Sequence, residues 1–174
     1  MPDRIRPAYG PLPAAFDQVF DAPGFDWPFD ARWTHGRLFY PLDDFHLTER
    51  QYGWLRAAAG AGEGFAFWVA MIEGERTAAN REPTYFDCRD PGYDEYHALS
   101  LYVGTGLVAH DGSWLVNTSE PDMALVTGSQ AFLARLGATR TDWAQDTRDL
   151  REFLTDLRAD TTRLDRLEER LLLD

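Results

Sequence analysis

Residues Gly64–Glu75 read GFAFWVAMIEGE, and the way this stretch folds decides the architecture of the chain. In an extended conformation Phe65, Phe67, Val69 and Met71 point to one side and Ala66, Trp68, Ala70 and Ile72 to the other, so both faces are apolar. Such a strand needs cover on both sides. Gly64 and the Glu73-Gly74-Glu75 step bound the run, which is short for a buried helix. The stretch is therefore expected to be an inner strand with the rest of the chain, its first and last segments included, folded over it.

The neighbouring segments supply that cover. Thr48-Glu49-Arg50-Gln51 has the form of a capping box and predicts a helix over about Glu49–Ala59, with Tyr52, Leu55 and Ala59 inward and Gly60, Gly62 and Gly64 ending it. Upstream, Ala31–Tyr40 reads as an extended segment or a hairpin kinked at Gly36, closed by Pro41. Downstream, Thr84-Tyr85-Phe86 is a short strand suited to lie antiparallel to Phe65–Ile72, followed by a turn at Asp90-Pro91-Gly92. His97–Val103 stays open between strand and short helix. Leu107–His110 and Ser113–Val116 flank Asp111-Gly112, which predicts a hairpin with a type I′ turn. Met123–Val126 adds a short strand, and Ser129 caps a short helix carrying Phe132, Leu133 and Leu136, closed by Gly137.

At the amino end, six prolines within residues 1–30 confine any helix to Ala14–Phe20. Phe16, Phe20, Phe25, Trp27 and Phe29 make this segment a docked arm, since each aromatic stabilises by about 1.5–3 kcal/mol on full burial, or alternatively a partner surface. Over residues 141–174, with Thr141 or Asp142 as cap, Leu150, Leu157, Leu164 and Leu171 recur every seven residues and are widened by Phe153, Leu154 and Leu167. That pattern gives one long helix, unless Asp160-Thr161-Thr162 breaks it and Thr162 caps a second segment. The chain thus reads as one α+β domain over 1–174: a mainly antiparallel sheet of about four to six strands, covered by helices, with a long C-terminal helix.

A hydrophobic fraction of 44%, with six tryptophans and eleven phenylalanines, is ample for a packed core. Cys88 stands alone, so no intrachain disulfide forms, and with no signal-peptide pattern near Met1 a cytoplasmic location is expected. No apolar run reaches membrane-spanning length. All seventeen basic residues are arginines and the formal net charge is -12, which repels phosphate backbones and anionic membranes and leaves no lysine for a phosphate-binding loop. The charge is uneven: residues 148–174 hold six arginines and eight acids, leaving -10 on residues 1–147. A basic protein partner is favoured by that imbalance, although solubility alone also accounts for it.

Two groupings carry the residue types of chemistry. Asp87, Cys88, Asp90, Asp94, Glu95 and His97 offer oxygen, sulfur and imidazole donors for a divalent ion, with Asp87, Asp90, Asp94 and His97 the leading ligands. Their spacing fits no known metal loop, and a solvated acidic turn is the plainer reading. Asp43, Asp44, His46 and Glu49 lie between a strand end and a helix start, where His46 with Asp44 could form an oriented base; the same acids also suit a helix amino end. Acids beside Cys88 disfavour its thiolate, and Gly128-Ser129-Gln130 lacks the pattern of a nucleophile elbow. No cofactor is expected.

The helix Ser-Gln-Ala-Phe-Leu-Ala-Arg-Leu, Ser129–Leu136, resembles the helix that closes small cytoplasmic immunity-type domains, which pair an acidic α+β scaffold with toxin binding. The proline-aromatic amino end and the long carboxyl helix depart from that outline. The leading expectation is a non-enzymatic protein-binding module, of immunity or accessory type, that meets a basic partner. The alternatives are a small-molecule-binding domain or enzyme with a pocket drawn from Trp33, Tyr40, Trp68, Tyr85 and Trp114 and with His46 or His97 as its polar group, and a homo-oligomer assembled through the last helix.

Overall fold

The computed structural model describes residues 4–18, 27–60, 65–71, 83–101, 104–120 and 122–174. The deciding stretch is a strand, Ala66–Met71, inside a seven-stranded sheet. In chain order the strands are β1 (Ile5–Ala8), β2 (Gly36–Phe39), β3 (Ala66–Met71), β4 (Tyr85–Arg89), β5 (Thr105–Ala109), β6 (Trp114–Glu120) and β7 (Met123–Gly128). They lie in the order β1-β4-β3-β5-β6-β7-β2, every pair antiparallel. The helices are α1 (Glu49–Ala59), α2 (Tyr93–His97), α3 (Gln130–Gly137), α4 (Ala144–Asp156) and α5 (Thr162–Glu168), with a 3-10 turn at Ala14–Gln18. None of the described helices is long and apolar enough to cross a membrane. The strand beyond the expected six is β1, where Pro7 hid the pattern; Arg4 accepts from the Arg89 amide and Ala8 from the Thr84 amide just before β4, so the donor that proline lacks belongs on the outer side of an edge strand.

Both faces of the sheet are covered. On the first, Phe67 and Val69 join Leu107, Trp114, Val116 and Val126 beneath α1 and α3, which contribute Tyr52, Leu55, Phe132 and Leu136. Its centre is aromatic: Phe65, Phe67, Trp114 and Phe132 are linked by ring distances of 5.0–6.1 Å. On the second, Trp68 and Ala70 join Val108, Leu115 and Leu125 beneath Phe16 and Phe29 of the arm and Leu150, Leu164, Leu167 and Leu171 of the last helices. Phe20 and Phe25 lie outside the described residues, as do Ile72 and the Glu73–Glu75 step.

Several local expectations hold and several are corrected. Helix α1 has its capping box, with the Thr48 hydroxyl accepting from Gln51 N–H and the Gln51 side chain accepting from Thr48 N–H, and Gly60 at φ 96° ends it. It buries Ala58 fully as well, while Ala59 packs part-buried against the same core. At the β5–β6 hairpin the turn is not type I′: Ala109 accepts from Gly112 N–H, and of Asp111 and Gly112 only Gly112, at φ 68°, is left-handed, so the loop is a turn closed by a glycine bulge. Residues 98–101 are irregular, while Tyr102 and Val103 lie outside the described residues.

The last helical segment is divided at Leu157–Thr161. Arg158 takes φ 54°, and the Asp160 carboxylate accepts from the Thr162 amide and hydroxyl as α5 restarts. Neither Thr141 nor Asp142 caps α4; Asp142 pairs with Arg148 instead. The heptad leucines therefore do not form one stripe. Leu150, Leu164 and Leu171 are buried on the sheet, but Leu157 is 62% exposed at the break.

The tail seals the β2 edge. Gly36 N–H donates to Arg170 and Leu172 N–H donates to Gly36, which pairs in parallel with Leu171. Buried Arg37 sends Nη1 to the main-chain oxygens of Leu172 and Asp174, both at 2.8 Å, and lays its guanidinium 4.7 Å over the Trp143 ring. Only glycine fits at 36, since a Cβ there would strike the Val126 carbonyl and the Trp27 ring. At the other end of β2, buried Asp146 accepts from Tyr40 N–H at 3.0 Å and from Arg140 at 2.6 Å, fixing α4 to the sheet.

Candidate functional site

Leu42 and Leu47 are buried, and the chain between them must reverse at the surface. It does so in a tight turn in which Asp43 and His46 exchange both main-chain hydrogen bonds, at 2.9 Å each. Asp44 at φ 47° and Phe45 at φ 69° are both left-handed, the backbone signature of a type I′ turn, here built without glycine. Each costs about 1–2 kcal/mol relative to ordinary backbone. Contacts hold the turn in place. The Tyr96 hydroxyl accepts from Leu47 N–H at 3.1 Å, and the His46 ring sits between the Asp44 carbonyl, 2.9 Å from Nδ1, and the Leu99 carbonyl, 2.8 Å from Nε2.

Helix α2 forms the other wall. Glu95 accepts from the Gly92 amide at 2.7 Å and starts it, while Tyr93 and His97, four residues apart, share a face. Tyr96 points inward, stacked on Tyr52 at 4.8 Å, and the Tyr52 hydroxyl donates to the Pro91 carbonyl. Burial pushes the Tyr96 and Tyr52 hydroxyls well above the usual phenol range.

Across the gap, His97 Nε2 lies 3.3 Å from an Asp43 oxygen and the His46 and His97 rings are 4.7 Å apart. The two sequence groupings thus meet through their histidines. Around them Asp43, Asp44, Glu49, Asp94 and Glu95 are all exposed. The Tyr93 hydroxyl, 5.4 Å from His97 between ring centres, is raised in proton affinity by burial first and then by the charges of Asp43, Glu49 and Asp94. Asp44, Glu49 and Asp94 make no ion pair among the described residues, whereas Asp43 faces His97 and Glu95 faces Arg4 at 3.6 Å.

The arrangement does not make His46 a base. It is 6% exposed and each ring nitrogen already faces a main-chain oxygen, so neither has a lone pair directed at a substrate. Nor do the metal candidates converge. Strand β4 runs to Arg89, not Phe86, so Asp87 and Cys88 leave the sheet on opposite sides. Asp87 meets Arg89 and His110, Asp90 pairs with Arg56 at 2.6 Å, and Asp94 stands exposed at the start of α2. Cys88 is buried, its thiol pushed up by burial and further by Asp87. Among the described residues no three of His, Cys, Asp and Glu gather as a metal site.

One polar contact escaped the sequence reading. His110 Nε2 lies 3.0 Å from Asp87 Oδ1 and its ring rests 4.3 Å from Trp68, with burial lowering its proton affinity against the opposing pull of Asp87. The signal is one of register: Trp68 pairs with both Asp87 and Val108, so residue 110 arrives beside them once the three strands are aligned. The five candidate pocket aromatics are dispersed. Trp114 is in the core, Trp68 lies under His110, Trp33 borders a groove of about 680 Å³ beside α3, Tyr85 lines a cavity of about 320 Å³ against residues 98–101, and Tyr40 lines a third, small one near Asp146. Neither His46 nor His97 lines any of these three. Compared with family models, curated proteins and solved structures, the chain matches none.

Proposed function

We propose that this chain is a non-enzymatic protein-binding module, of immunity or accessory type, whose acidic face at the α1 and α2 amino ends engages a basic protein partner. The observation that carries the reading is the gathering of exposed Asp43, Asp44, Glu49 and Asp94 around Tyr93 and His97. Three of these carboxylates are free of ion pairs among the described residues, so a cationic side chain can reach them without displacing one already there. The neighbouring tyrosine ring adds a surface on which a guanidinium stacks. Exposed charge of this kind acts chiefly on encounter rate and partner choice, and it is screened by salt.

The test compares proteins retained from native-cell extract by the wild type and by the combined variant Asp43→Asn, Glu49→Gln, Asp94→Asn. A partner held by the wild type at low salt, released at high salt and not held by the variant supports the reading. Equal, salt-indifferent retention by both removes it.

A further inference from the structure

The imidazole of His46 is placed between two acceptors. A main-chain carbonyl oxygen cannot donate, and the ring has one at 2.9 Å from Nδ1 and another at 2.8 Å from Nε2. Satisfying both takes two N–H groups, and only the protonated ring carries two. The carbonyls belong to separate segments: Asp44 lies in the left-handed turn, and Leu99 lies in residues 98–101, which follow α2 and form one wall of the 320 Å³ cavity against Val69, Ala70, Tyr85 and Phe86. Among the described residues this ring is the hydrogen bond that ties Leu99 to the turn, while the Leu99 N–H donates back to the Tyr96 carbonyl of α2 and its side chain packs on the same core as Leu42 and Leu47.

We infer that His46 is a proton-operated latch: with both ring nitrogens protonated it fastens the cavity wall at Leu99 to the Asp43–His46 turn, and loss of one proton unfastens one side. The neutral ring keeps a single N–H, so a lone pair then confronts a carbonyl lone pair across a hydrogen-bond distance. That contact is repulsive in a buried setting where water does not screen it. The turn is held by its own paired main-chain bonds and by Leu42 and Leu47 in the core, whereas of residues 98–101 only Leu101 is buried and none lies in a helix or strand, so the wall ahead of Leu101 is the part that moves.

Charged and titratable groups face the ring from each element packed against it. From its own turn these are Asp43 and Asp44; from α2 they are Tyr96 in edge contact at 5.5 Å and His97 at 4.7 Å; Tyr93 and Glu49 follow beyond His97. The bond set is complete only when both ring nitrogens carry a proton, so closure belongs to the protonated ring and release to the neutral one.

The experiment is a pH series followed by nitrogen-detected imidazole spectra and backbone amide spectra of the intact chain, repeated on His97→Gln and His46→Gln. The wild type is expected to show amide shifts and faster hydrogen exchange at residues 98–101, with the same midpoint as the His46 ring. His97→Gln should keep this coupled transition, and His46→Gln, with only one side-chain donor nitrogen and no titration, should lose it. Amides of residues 98–101 that stay fixed while His46 titrates would overturn the latch, as would a His46 ring that is neutral at every pH with both segments in place. Loss of the transition in His97→Gln while His46 still titrates would overturn the assignment to His46. These outcomes read on the wild type and on His97→Gln even if His46→Gln does not fold.

Discussion

The two faces of the sheet are built differently. The first is covered by α1 and α3, helices whose neighbouring strands β2, β3 and β7 they directly follow or precede, and its centre is a contact chain of large rings. The second is covered by segments from opposite ends of the sequence, Phe16 and Phe29 with Leu150, Leu164, Leu167 and Leu171, and it is mostly aliphatic. The first face is held by local order and ring area; the second depends on distant segments staying in place. Area per aromatic is larger, whereas the second face carries more of its attachment in a few polar contacts at its margins.

Point changes can break or sharpen this contrast. Phe67→Ala removes a fully buried ring from the first face and is expected to cost about 3–5 kcal/mol in urea unfolding, with the m-value unchanged. Leu167→Ala on the second face should cost about 2–4 kcal/mol and also lower the m-value, because α5 frays from the sheet before the rest unfolds. Equal m-values for the two variants would erase the distinction.

Asp146→Ala leaves the Arg140 guanidinium buried without its partner, and a loss of about 3 kcal/mol is expected, with a smaller loss when Arg140→Met and Asp146→Leu are combined. The pair also has a pH signature. Burial raises the Asp146 carboxyl above its ordinary value of 3.8 in spite of Arg140, so desolvation outweighs the 2.6 Å contact. A raised folded value means that this group's contribution is present below pH 3.8 and is lost as pH rises through the folded value. Relative to Asp146→Asn, the wild type should therefore look best in acid, as measured by unfolding at a series of pH values.

Arg37→Met removes the side-chain ties between the tail and the β2 edge, leaving the main-chain bonds of Gly36, and about 2 kcal/mol is expected from loss of its charge-assisted hydrogen bonds, with faster amide exchange at residues 170–172. The smallest effect falls on the first face: Thr48→Ala removes the α1 cap and should cost about 1 kcal/mol in the same assay.

The twofold cover of β3 was legible in Phe65–Ile72 because alternation assigns each side chain to a face whatever the partners are. The α1 boundaries were legible for a similar reason, since Thr48, Gln51 and Gly60 act on their own backbone. What escaped depended on register or on distant partners. Asp87 and Cys88 looked like neighbours in a loop until β4 proved to continue through them, and the Asp87–His110 pair exists only once β4, β3 and β5 are aligned. The candidate site was half legible. Its residues were singled out in two groups, but nothing in their spacing places His97 against Asp43 and His46. The type I′ geometry expected at Asp111-Gly112 instead occurs at Asp44-Phe45, where contacts made by His46 and Tyr96 offset the backbone cost that glycine would have spared.

The parallel bridge between Gly36 and Leu171 also has a bearing on how the molecule is made. Strand β2 emerges early in synthesis, yet its inner neighbour β7 appears some ninety residues later and its outer guard only with residues 170–172. During translation, therefore, an apolar strand with Leu38 and Phe39 waits without partners on either side, and pairing over such separations closes slowly. Nascent chains stalled before Leu171 should retain an adhesive rim that released chains have lost.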